Sequence, residues 1–200
     1  MSNWKKETVD WSKYNLSEMI KQAIREHACE KDIEKLREYS SIEEALKSKK
    51  ASFWCCWYAT QVLKGRWEEA ESVIMKDAYF ARWYARDILK GRWKEAEPFI
   101  MKNAESAYFY AFHVVEGRWK EAEHFLMKNA MYSYYYARDV LKGRWQEDES
   151  IMMKNDWLAY LYARDVIKGR WEEAEPIIAK DDYWKSLYEK CFNCKLGEES

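Results

Sequence analysis

"YARDVLKGRW" runs from Tyr136 to Trp145, and "YARDVIKGRW" from Tyr162 to Trp171, 26 positions further on. A decamer copied almost letter for letter is either a repeated site or a repeated seam. Trp67, Trp93, Trp119, Trp145 and Trp171 each close a Gly-Arg-Trp triplet, always at an interval of 26. Extending outward gives five units, 51–76, 77–102, 103–128, 129–154 and 155–180, and a sixth that begins at Asp181 and degenerates after Tyr188. A fixed period of this length is the mark of stacked supersecondary units, none of which can bury its apolar face alone.

The unit "DAYFARWYARDILKGRWKEAEPFIMK" (77–102) reads as a helical hairpin. Asp77 is a good N-cap, and Asn103, Asn129, Asn155 and Asp181 hold the same position later. The first helix is expected to reach about Lys90. Gly91 would close it in the left-handed conformation, where Cβ is costly, and Gly117, Gly143 and Gly169 would do the same. A shorter second helix is expected from about Trp93 to Met101. Its early Glu95 and Glu97 and its terminal Lys102 suit the helix dipole, and Pro98 limits where it can start.

One face of the first helix carries Ala81, Tyr84, Ala85 and Ile88. Counterparts are Ala107, Tyr110, Ala111 and Val114, then Ala159, Tyr162, Ala163 and Val166, with Tyr136 in the intervening unit. Small residues let helices approach and the tyrosine fills the rest, which makes this face the packing seam. The Gly-Arg-Trp tryptophans would lie across the hairpin turn and cover the junction between units. The predicted fold is all-α: an α-solenoid of tandem two-helix repeats over 51–180, comparable in plan to TPR and Sel1-like arrays. Residues 1–50 form a helical N-terminal cap and possible partner-binding segment. Residues 181–200 form a degenerate capping repeat. Asn15-x-x-Glu18 and Ser41-x-x-Glu44 mark helix starts in the N-terminal cap, where Leu16, Ile20, Ala23, Ile24 and His27 share helical spacing.

Lys+Arg 34 against Asp+Glu 35 leaves a net charge of −1, without the field of a dedicated nucleic-acid binder or an acidic DNA mimic. Twelve Trp and fifteen Tyr exclude a disordered chain. No apolar run approaches a membrane span, and "MSNWKKETVDW" lacks the apolar centre of a signal peptide, so a cytoplasmic protein is expected. The odd cysteine count fits reduced thiols.

The stretch "YARDVIKGRWEEAEPIIAK" (162–180) resembles arrays of Gly-Arg-Trp/Glu-Ala-Glu helical repeats in uncharacterised phage and bacterial proteins. The likeness covers 51–180 and implies an α-solenoid encoded by a phage and acting in the host cytoplasm, with no catalytic residues to transfer. The position after Trp is Glu68, Lys94, Lys120, Gln146 or Glu172, where proline is expected in that type.

Catalytic chemistry finds little support. His27, His113 and His124 stand at no informative spacing from a nucleophile, and the Glu pairs recur in every unit, as dipole partners do. Cys191-x-x-Cys194 is the sharpest small motif and a weak metal candidate. It lacks a second pair at finger spacing and any βαβ surroundings, so two thiols on a capping helix is the favoured reading. No cofactor is expected. Asp87, Asp139 and Asp165 lie near helix C-termini and need cationic partners, for which Arg92, Arg144 and Arg170 are the natural candidates. Yet Arg66 and Arg118 persist where Gln61 and His113 replace the Asp, which points to a further role with carboxylates of the Glu69 and Glu71 type.

Opposite the seam runs a stripe that varies between units while staying aromatic and Arg-rich. Its candidate partner-binding residues are Trp57, Tyr79, Trp83, Arg86, Phe109, Phe112, Tyr135, Arg138, Trp157 and Arg164. The competing reading packs the aromatic half of the stripe against the preceding unit. The leading functional expectation is a non-enzymatic scaffold that binds another protein, such as a phage inhibitor of a host defence complex. The alternative is a nucleotide or single-stranded RNA binder that stacks bases on the stripe, against which the balanced charge and Glu-rich second helices weigh.

Overall fold

The computed structural model describes residues 9–197; residues 1–8, most of the stretch read for a leader, and 198–200 lie outside them. Among the described residues every regular element is a helix. The chain forms two compact units, Met1–Phe99 and Ile100–Ser200. No helix among the described residues is long and apolar enough to cross a membrane.

In the first unit, Asn15 caps helix Leu16–Arg25 by accepting from the Glu18 N–H at 3.1 Å. Its Ile20 and Ala23 pack with Ile33 of helix Glu30–Leu36, flanked by Leu16, Ala28, Leu36 and Trp57. The apolar face read through His27 stops short: Ile24 is 46% exposed, and His27 lies beyond the helix with a φ of 59°. Ser41 caps the single turn Ile42–Ala45, which buries Ile42 and Ala45. Helix Ala51–Tyr58 follows, then Glu68–Ile74 and Ala78–Tyr84. The N-terminal segment also covers the first repeat tryptophan. Trp67 Nε1 donates to the Tyr14 hydroxyl at 2.9 Å, and Lys13 pairs with Glu69 at 2.5 Å.

The second unit repeats the pattern with first helices Ala104–Tyr110, Ala130–Tyr135 and Asp156–Tyr162, and ends on Asp182–Phe192. Asp77, Asn103, Asn129 and Asp181 all accept from first-turn N–H groups, as their side-chain type demands. Asn155 makes no such bond; the Asp156 carboxylate accepts from the Trp157 N–H instead. Second helices are shorter than the sequence suggests, and proline is not the sole cause, since proline-free Glu149–Met152 is also a single turn after a 3-10 turn at Gln146–Asp148. Helix Glu97–Ile100 is one turn long, and Glu175–Ile178 follows a 3-10 turn at Glu172–Ala174, whereas proline-free Lys120–Leu126 is continuous. A proline has no N–H to give and is tolerated only in a first turn, so the helix begins around it.

The helix ends correct one expectation. Each first helix widens into a π-helical turn: Ala59–Leu63, Ala85–Leu89, Ala111–Val115, Tyr136–Leu141 and Ala163–Ile167. The turn takes up one extra residue, and the Gly91 N–H reaches back six positions to the Ala85 carbonyl at 3.2 Å. That insertion moves the left-handed position off the glycine. Lys64, Lys90, Glu116, Lys142 and Lys168 adopt it, with φ between 52° and 57°, and Gly91, Gly117, Gly143 and Gly169 do not. A Cβ on Gly91 or Gly143 would meet only a carbonyl at 4.0 Å, and one on Gly117 or Gly169 would meet nothing within 4 Å. Nothing in the surrounding structure explains the glycine.

The Ala and Tyr positions of the seam are the core, whereas Ile88 and Val114 are only half-buried. Ala81, Tyr84, Ala85, Ala107, Tyr110, Ala111, Tyr136, Ala137, Ala159, Tyr162 and Ala163 are all 0% exposed. The tryptophans of all five triplets are buried, and Tyr136 and Tyr162 lie tilted against Trp145 and Trp171 at 5.3 and 5.1 Å. One hydrogen-bond circuit recurs. Arg144 clasps Glu149 at 2.8 and 2.9 Å, Tyr162 donates toward Glu149 at 3.5 Å, and the Trp145 N–H donates to the Tyr162 oxygen at 2.6 Å. Arg66, Glu71, Tyr84 and Trp67 make the same circuit in the first unit, as do the sets beginning at Arg118 and Arg170 in the second. The Gly-Arg-Trp arginines therefore bind the second glutamate of Glu-Ala-Glu, and pairing with Asp87, Asp139 or Asp165 is not their role.

Candidate interaction surface

The ten stripe residues are all at least partly accessible. Tyr79 is 51% exposed and Phe112 41%, Arg164 is exposed, and Trp83, Arg86, Phe109, Tyr135, Arg138 and Trp157 are half-buried. Trp57, also half-buried, is already engaged: it packs against the Ile20, Ala23 and Ile33 cluster of the N-terminal helices. The aromatic stripe positions are thus not swallowed by the core.

The arginines of the stripe are held in place by the aspartates that follow them. Arg138 Nε and Nη2 bind the two Asp139 oxygens at 2.7 and 2.8 Å, and Arg86–Asp87 and Arg164–Asp165 share this bidentate geometry. In the second unit the pairs join a ladder that sequence reading missed. Tyr108 donates to Asp139 at 2.8 Å, Tyr134 donates to Asp165 at 2.5 Å, and Arg138 Nη1 reaches the Tyr134 oxygen at 3.2 Å. The Arg138 guanidinium also lies over the Tyr134 and Tyr135 rings, about 5 Å from each centroid. Tyr108, Tyr134 and Tyr160 stand 26 residues apart, so the signal was present in the spacing. It was hidden because Cys56, Arg82 and Ser186 occupy the equivalent positions elsewhere.

Electrostatics follow the geometry. Arg164 and Tyr134 hold the Asp165 carboxyl below the usual aspartate range, against the cost of burial. For Asp139, burial is the largest influence and raises it, but hydrogen bonds from Arg138 and Tyr108 together prevail and keep it low. Burial and the Asp165 partner push the Tyr134 hydroxyl up to about 12. These groups therefore hold one charge state at neutral pH.

Around this ladder lies an aromatic cluster. Phe109 stacks parallel on His113 with centroids 6.0 Å apart, Phe112 meets His113 edge-on at 4.7 Å, and Tyr108 touches Phe112, Tyr132 and Tyr135. Phe112, Asp139 and Val140 line a shallow pocket with Glu116 and Lys142. Among the described residues no group of three or more His, Cys, Asp or Glu side chains is placed to hold a metal ion. Cys191 is exposed at the end of helix Asp182–Phe192, and Cys194 is half-buried beyond left-handed Asn193.

Among the described residues, fold and surface define an all-helical protein of packed short helices, whose second unit carries an aromatic surface with its arginines paired to aspartates. Compared with known protein families, curated proteins and solved structures, the chain matches none.

Proposed function

We propose that the chain is a non-enzymatic α-solenoid that binds another protein through the aromatic stripe, chiefly the Phe109, Phe112, Tyr135 and Arg138 surface of the second unit. One observation carries this reading: the stripe keeps rings such as Phe112 exposed while its arginines are bidentate to adjacent aspartates. An exposed ring amid neutralised charge suits the aromatic and apolar side chains at the centre of a protein interface. The same neutralisation speaks against a nucleotide or RNA ligand, because an arginine already clasped by a carboxylate is a poor phosphate receptor. The phage setting implied by the repeat resemblance makes a host component, such as a defence complex, the expected target, with the host cytoplasm as the place of action.

The test is affinity purification from host cytosol with wild type and a Phe112→Ala/Tyr135→Ala variant, with mass spectrometry of proteins and small molecules. A protein captured by wild type and lost in the variant supports the scaffold. Nucleotides released on denaturation of wild type alone would transfer the proposal to the base-stacking alternative.

A further inference from the structure

The N-terminal helices of the first unit do not close fully on the first repeat helix. Between Leu16–Arg25, Glu30–Leu36 and Ala51–Tyr58 lies an apolar chamber of about 100 Å³. Its walls are aliphatic on the cap side, from Met19, Ile20 and Ile33, and aromatic on the repeat side, from Phe53, Trp54 and Trp57. Interiors normally pack with few voids larger than one water, so a space this size forfeits contacts that ordinary side chains would make.

Polar groups at the wall are already matched within the protein. Asp32 accepts from Lys50 Nζ at 2.6 Å and from Trp54 Nε1 at 3.3 Å, and the Tyr58 hydroxyl donates to Gln22. Burial raises the Cys55 thiol to about 12, so that it stays a neutral, apolar part of the lining. A charged guest would find no counter-ion here, because Lys50 neutralises the one carboxylate. Water would find too few partners: an apolar cavity of about 150 Å³ in another protein stays dry and takes benzene. Exposed Cys29 and half-buried Ala28 also line the chamber.

We infer that this chamber is a binding site for a small neutral apolar molecule, a single aromatic ring or a short alkyl group, which fastens the N-terminal cap to the first repeat. The site is independent of the protein-binding stripe of the second unit. The probe is benzene, titrated into the full chain and followed by amide chemical shifts and melting temperature. Saturable shifts at the lining residues, with a rise in melting temperature and loss of both effects in Ala28→Leu, are the expected result. Shifts that never saturate, or that persist unchanged in a folded Ala28→Leu protein, would overturn it. Should Ala28→Leu not fold, Cys29→Leu serves as the filling variant, and absence of saturable binding by wild type refutes the site regardless of either.

Discussion

The Tyr162 hydroxyl oxygen lies 2.6 Å from the backbone nitrogen of Trp145, 17 residues earlier, and thereby ties the first helix of one hairpin to the turn of the hairpin before it. The bond is buried, and the same hydroxyl hydrogen points toward Glu149. Tyr162→Phe keeps the ring but orphans the Trp145 N–H, which should cost about 1–3 kcal/mol. Tyr136→Ala empties a fully buried ring site and should cost about 3–5 kcal/mol. Urea denaturation followed by tryptophan fluorescence measures both. An unchanged midpoint for Tyr136→Ala would remove the tyrosine from the core.

The helix termini give a prediction that inverts ordinary intuition about glycine. Lys142 carries the left-handed φ of 54°, and Gly143 beside it does not. A left-handed non-glycine residue costs about 1–2 kcal/mol, part of which glycine would recover after its own entropy loss. Lys142→Gly should therefore stabilise the protein by roughly 0.5 kcal/mol. Gly143→Ala should be neutral or mildly stabilising, since the new methyl has room and the unfolded chain loses freedom. Thermal melts of the two variants decide the matter. A strongly destabilised Gly143→Ala with an unaffected Lys142→Gly would place the left-handed residue at the glycine.

How far the sequence disclosed this arrangement depends on which interactions are periodic in residue type. The seam was legible because Ala and Tyr recur where helices must approach closely, and burial tolerates few other types there. The left-handed residue was misplaced by one, because a π-helical turn adds a residue without leaving any compositional trace. Of the two kinds of carboxylate expected for Arg144, the Glu71 type is the one it binds and the Asp was the misreading, for a related reason. Linear proximity suggested Asp139, but the turn swings Arg144 toward Glu149 and leaves Asp139 to Arg138. The cavity under Trp54 and Trp57 depends on how three unlike short helices meet, and no repeat pattern records that.

Phe112 and Arg138 separate surface function from stability. Phe112 is 41% exposed, so Phe112→Ala should shift stability by less than about 0.5 kcal/mol, the usual range for surface substitutions. Arg138→Ala removes a bidentate partner of Asp139 and a ring contact, and should destabilise by about 1.5–3 kcal/mol, the range for hydrogen bonds to charged groups. Comparing denaturation midpoints with partner capture distinguishes the two. Loss of capture by Phe112→Ala at full stability assigns the ring to recognition, whereas retention of capture would move recognition elsewhere.

One position in the repeat should make stability depend on pH. Ala70, Ala96, Ala122 and Ala174 share a fully buried site, and its fifth occupant is Asp148, 0% exposed. Opposite it, Ser133 takes the place of Ala107 and Ala159 and turns its hydroxyl to the Leu126 carbonyl. Burial pushes the Asp148 carboxyl from 3.8 up to about 7, with the Ser133 hydroxyl opposing, and the Asp148 charge adds slightly to the burial that raises the Tyr162 hydroxyl. Because the folded value is the higher one, the stabilising protonated state is fully present below about pH 4 and is lost as pH rises through 7. A gap of about three pH units corresponds to roughly 4 kcal/mol between these limits. The lowered carboxyls of Asp139, Asp165 and Glu175 act in the opposite sense, with their effect confined to more acid conditions. Between pH 5 and 8 wild type should therefore lose stability, while Asp148→Ala, which restores the residue of the other repeats, should be more stable at pH 8 and nearly flat. Parallel pH profiles for the two proteins in urea titrations would show that Asp148 is ionised and solvated in the native state.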